Sequence, residues 1–151
     1  MKSIISKTMT LVALAATIFS FSSKPGGEGF EILLNNKVVL QQYGSEMNTV
    51  KSLQLNQNSP NDQLTIKYYH CGRVGKNRIV TIKDDHNNVV KEWRFADAGT
   101  PVAAMSCNVK EIINLKKANS NTFKLYYSSS ELPKGRLLAS VIIGNSNVTL
   151  P

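Results

Sequence analysis

Two histidines, two cysteines and one methionine are the residues of this 151-residue chain best suited to do chemistry. His70, Cys71, His86, Met105 and Cys107 together supply every ligand type of a blue-copper site. Their order argues against one. Such sites gather Cys, His and Met in one C-terminal loop, whereas here Met105 precedes Cys107 and no histidine follows it. Cys71 beside His70 or His86 offers a thiol nucleophile with a base. Neighbouring residues of a strand point to opposite faces, however, so His70 is badly placed to activate Cys71. There is no C-x-x-C redox pair. Two cysteines in an exported chain ordinarily bridge each other. A Cys71–Cys107 disulfide would close a loop of about 37 residues and stabilise the fold by roughly 3–4 kcal/mol. The expectation is a structural disulfide, with no metal and no cofactor.

Other candidates weaken on inspection. The run Asp84-Asp85-His86-Asn87-Asn88 lacks the alternating carboxylates and distal Glu of a calcium loop, and reads as a polar hairpin turn. Cys71-Gly72-Arg73-Val74-Gly75-Lys76 has glycines but no G-K-[ST] ending, so it is a poor phosphate loop. Glu92 and Glu131 are carboxylates among strand and loop positions, and nothing in the sequence brings them together for glycoside hydrolysis. The tyrosine pairs Tyr68-Tyr69 and Tyr126-Tyr127 each send one ring inward and one outward. Were their strands neighbours, Tyr69 and Tyr126 would form an exposed aromatic platform. Arg73, Arg78, Lys67 and Lys124 would edge it, and it would suit stacking on a sugar or gripping a protein.

The compartment follows from the first residues. Lys2 and Lys7 precede an apolar run over 9–21, and Ser20 and Ser22 occupy small-residue cleavage positions. This is the layout of an export signal, residues 1–22, cut between Ser22 and Ser23. The run is too short for a span of about 20 residues, and nothing downstream is longer, so no membrane span is expected after cleavage. No cysteine lies near the cut, the first being Cys71, which excludes a lipoprotein anchor. The mature protein is expected to be secreted or periplasmic. Asn147-Val148-Thr149 fits a glycosylation sequon, which matters only in a eukaryotic pathway. Net charge is +8, and +6 once Lys2 and Lys7 are gone. That balance suits an acidic polysaccharide or protein partner at the cell envelope. Nucleic acid is not expected, since no recognition motif is present.

What remains must position these residues with β-structure. Residues 23–29 are a Gly/Pro-rich leader, and 30–151 read as one domain. Strands are expected at 30–34, 37–43, 51–55, 63–70, 78–83, 89–95, 122–128 and 136–143, with the last one central because it is apolar on both faces. Asn35-Asn36 is a tight hairpin turn. Residues 102–117 fit a strand or a short helix near 109–117 equally well. Short strands with turn signals between them predict an all-β antiparallel sandwich. The order Cys71, Trp93, Cys107 is compatible with immunoglobulin-like architecture, but its spacing is not that of the family.

The functional expectation is an exported, non-catalytic binding or structural module. The alternatives are a small hydrolase of envelope polymers, which would place a shifted acid or histidine in a cleft, and a metal carrier, which would keep its thiols free.

Overall fold

A computed structural model describes residues 27–145. The export segment, most of the leader and the sequon lie outside the described residues. Among the described residues nine strands form two sheets, as the strand spacing predicts. The first sheet has β1 (Glu28–Leu34), β2 (Lys37–Tyr43), β4 (Gln63–His70) and β7 (Met105–Asn108), in the order β2-β1-β4-β7. The second has β3 (Lys51–Asn56), β5 (Arg78–Lys83), β6 (Val89–Phe95), β8 (Thr122–Ser129) and β9 (Leu132–Gly144), in the order β3-β9-β8-β5-β6. Among the described residues no helix is long and apolar enough to cross a membrane.

Alternation sets which side chains enter the core. On β4, Leu64, Ile66, Tyr68 and His70 are buried, while Lys67 and Tyr69 are only half-buried between them. On β8, Phe123, Leu125, Tyr127 and Ser129 are buried. These two rows meet between the sheets, where the rings of Tyr68 and Tyr127 stack at 4.4 Å. Burial of this apolar surface is the main force holding the sheets together, at roughly 25 cal/mol per Å².

The turns follow the sequence closely. Asn35 and Asn36 both take positive φ, 49° and 66°, as a two-residue hairpin between β1 and β2 requires. Asn35 also binds forward: its Nδ2 donates to Asp62 Oδ1 at 2.8 Å, and its Oδ1 accepts from the Gln63 amide at 2.9 Å. Gln42 is buried because its Nε2 donates to the carbonyls of Glu46 and Thr49, both at 2.7 Å. That clamp fixes the 3-10 turn at Gly44–Asn48, through which the chain leaves one sheet for the other.

Four local expectations need correction. Glu28 and Gly29 belong to β1 and not to the leader. The pair β3–β9 is parallel, so the second sheet is mixed. Within 102–117 both readings are partly right: β7 runs into a short helix, α1 (Val109–Ile113), which ends earlier than the pattern predicts. β9 begins at Leu132, because the turn occupies only Ser130 and Glu131. β9 does lie inside its sheet, between β3 and β8. A bulge there pairs Leu125 with Ala139 but Tyr126 with Leu137. Leu138 and Ala139 are therefore both fully buried, which is why the strand looks apolar on both faces.

Candidate functional site

The sandwich has two loop ends, and they differ in kind. At one end β4, β6 and β8 finish, and the loops 71–77 and 96–104 meet the turn between β8 and β9. This end is stitched shut. The Lys76 amide donates to Glu131 Oε2 at 2.9 Å, the Asn77 amide to Asp97 Oδ1 at 2.8 Å, and the Ala98 amide to the Gly75 carbonyl at 2.9 Å. Gly75 lies so close to its neighbours that a Cβ there would meet the Tyr127 hydroxyl at 3.0 Å.

Beneath this cover lies a buried polar network. His70 Nε2 is 2.9 Å from the Tyr127 hydroxyl and 3.4 Å from Ser129 Oγ. The Tyr68 hydroxyl donates to Glu28 and accepts from Arg136 Nε at 3.1 Å, and Arg136 Nη2 pairs with Glu28 at 3.2 Å. Burial holds the His70 imidazole below its ordinary pKa; Glu131 and Glu28 pull it part of the way back, and Arg73 lowers it. The neutral ring carries one N–H and one bare nitrogen, so Nε2 and the Tyr127 hydroxyl share one proton in either direction. A His beside a Ser hydroxyl is the arrangement a hydrolase would use. Here, however, the gap lined by Tyr68, His70, Gly75, Arg78 and Tyr127 has no room for a water molecule.

The residues expected to form one binding surface are dispersed. Tyr69 is on the outer face of the first sheet and Tyr126 on the outer face of the second, since β4 and β8 are in different sheets. The rings that meet are their inward neighbours, Tyr68 and Tyr127. Tyr69 instead faces Tyr43 at 5.7 Å across Gly29, which pairs with both. The Tyr43 ring covers the place a Gly29 side chain would fill, and its hydroxyl donates to Glu31 at 2.7 Å. Tyr126 carries Lys83 over its ring at 4.4 Å. Arg73 is exposed beside Cys71. Arg78 is buried and serves the fold, donating to the carbonyls of Ala96 and Ala103, both at 2.9 Å.

The disulfide expectation is overturned. Cys107 pairs with Leu64 at the start of β4, whereas Cys71 follows the last residue of that strand. Seven strand residues separate the two levels by roughly 23 Å, and a bridge needs Cα atoms within about 7 Å. Both thiols are free, Cys71 exposed and Cys107 buried. Burial, with Glu111 nearby, pushes the Cys107 thiol up to about 12. Native protein is therefore expected to take one iodoacetamide per chain, at Cys71, and a second only in denaturant. Two unreactive sulfurs in denatured, unreduced protein would restore the bridge. Free thiols also meet one requirement of a metal carrier, yet among the described residues no three His, Cys, Asp or Glu side chains come together to hold an ion.

The opposite end of the sandwich is open. A cleft of about 720 Å³ lies there between the β5–β6 turn and the segment after α1. One wall is Asp84, Asp85 and His86; the other runs from Asn114 to Ser120; Val90, Leu115 and Phe123 supply the apolar floor. Both walls are held locally. Asp84 Oδ1 accepts from the amides of His86 and Asn88, both at 2.9 Å, and Oδ2 accepts from Asn88 Nδ2 at 3.1 Å. These bonds lower the Asp84 pKa and keep the carboxylate ionised. Lys124 reaches the same turn, donating to Asn87 Oδ1 at 2.7 Å. The facing wall is closed by reciprocal backbone bonds between Lys117 and Ser120, at 3.0 and 3.2 Å.

The sequence does show 84–88 as a polar hairpin turn, which it is, but not as half of a cleft. Its other half, 114–120, is thirty residues away. Against known proteins, the chain matches no family model and no curated sequence.

Proposed function

We propose that this chain is an exported, non-catalytic binding module and that it takes its ligand in the cleft between the β5–β6 turn and residues 114–120. The observation that supports this is the cleft itself: about 720 Å³, within the range of ligand sites, on a rigid scaffold, with an apolar floor and polar walls. Its walls keep their shape through bonds within their own turns, so little ordering cost falls on binding. The export signal and positive charge fit work at a cell envelope, with a polysaccharide or protein partner there.

The test is amide NMR during titration with the low-molecular-mass fraction of a cell-envelope hydrolysate. The expected result is movement of the signals of Asp85, His86, Leu115 and Ser120, abolished in Leu115→Trp, which fills the cleft. Unmoved cleft signals, or movement confined to the other loop end, would overturn the proposal.

A further inference from the structure

On the reading that the cleft is the ligand site, we infer that it recognises a short zwitterionic peptide with an apolar side chain, and not a sugar. The charges that line it divide by wall. Asp84 is occupied by His86 and Asn88, which leaves Asp85 as the carboxylate facing outward on that side. On the other side Lys116 is turned away to Gln57 Oε1 at 2.7 Å, which leaves the Lys117 ammonium. A negative wall opposite a positive one is complementary to a molecule that carries an ammonium and a carboxylate.

The groups that line the cleft besides these charges suit the rest of a peptide. The side-chain amides of Asn114 and Asn119 each present a donor and an acceptor, the pair a peptide group presents in return. The floor is aliphatic where it is accessible, at Val90 and Leu115. Phe123 is only 3 % exposed, so it offers an apolar boundary but no ring face. A sugar gains most from a ring face on which its C–H groups can stack; a leucine-like side chain needs only apolar area, worth about 25 cal/mol per Å².

The probes are glycyl-leucyl-glycine with free termini, the same peptide acetylated and amidated, and chitotriose, each titrated into the full mature chain and followed by amide NMR. The free peptide is expected to move the cleft signals saturably. Capping it, or introducing Asp85→Lys or Lys117→Glu, is expected to weaken binding at least about tenfold. Both substitutions are at exposed positions, and unchanged core signals verify the fold. Equal binding of the capped and free peptides would overturn the charge pairing. Chitotriose moving the cleft signals while the peptide does not would overturn the ligand class and leave the cleft as the site. If peptide, sugar and hydrolysate all leave those signals still, both proposals fall.

Discussion

Arg78→Ala is expected to destabilise the protein by about 2–4 kcal/mol, the largest effect predicted here for any polar side chain. A buried guanidinium is costly unless its donors are used. Arg78 uses two, Nε to the Ala96 carbonyl and Nη1 to the Ala103 carbonyl, both at 2.9 Å. These carbonyls belong to the loop that covers the Tyr68–His70–Tyr127 cluster. Hydrogen bonds from a charged donor contribute roughly 1.5–3 kcal/mol each, and truncation recovers part of this by removing the cost of burying the guanidinium. The stem matters too, since Gly75 lies against Arg78 Cδ and Cγ. Total stability of a domain this size is about 5–15 kcal/mol, so the variant should still fold. Urea denaturation checks the magnitude, and limited proteolysis should show new cutting within 96–104. Arg78→Lys fills the stem volume but cannot span both carbonyls, so it should recover only part of the loss. A shift below 0.5 kcal/mol in Arg78→Ala would show that the loop is held by its other bonds.

Arg78 also shows where sequence reading stops. An arginine at the head of a strand reads as a solvated cation, and as the edge of a binding platform. Its burial depends on two carbonyls 18 and 25 residues away that lack strand partners. By contrast, the inward faces of β4 and β8 were legible, because alternation depends only on local backbone geometry. So was the Asn35-Asn36 turn, because few residues adopt consecutive positive φ. Sheet membership is not local. Tyr68-Tyr69 and Tyr126-Tyr127 have the same pattern, and nothing in it says that their strands face each other across the core instead of lying side by side. The same gap explains the cysteines: loop length says how much a bridge would stabilise, but only register says that Cys107 and Cys71 lie at opposite ends of β4. The cleft was invisible for a related reason. Each wall is an ordinary polar loop, and the fold alone makes them a pair.

Below about pH 6.5 the protein is expected to lose stability as acid is added, because of His70. The sign follows from linkage. Burial lowers the folded-state pKa of His70 below the ordinary value of 6.5, so the unfolded chain binds the proton more readily. The contribution is fully present above about pH 6.5 and is lost as pH falls toward the folded-state value. The slope cannot exceed about 1.4 kcal/mol per pH unit for one group. Structure adds a second cost. A protonated imidazole donates at both nitrogens, so the Tyr127 hydroxyl 2.9 Å from Nε2 can then only accept from it, in a site with no room for water to take the hydroxyl's own proton. Glu28 and Glu131 lie near enough to soften the penalty, while Arg73 adds to it. Urea denaturation at pH 7.5, 6.5, 5.5 and 5.0 gives the slope for the native chain. His70→Gln keeps a hydrogen-bonding partner for Tyr127 without a titrating ring, and its slope in this window should be flatter by the His70 share. Tyr127→Phe removes the hydroxyl that pairs with His70, which should cost about 1–2 kcal/mol at pH 7.5. An identical pH slope in the native chain and His70→Gln would show that the ring takes up its proton without disturbing the network.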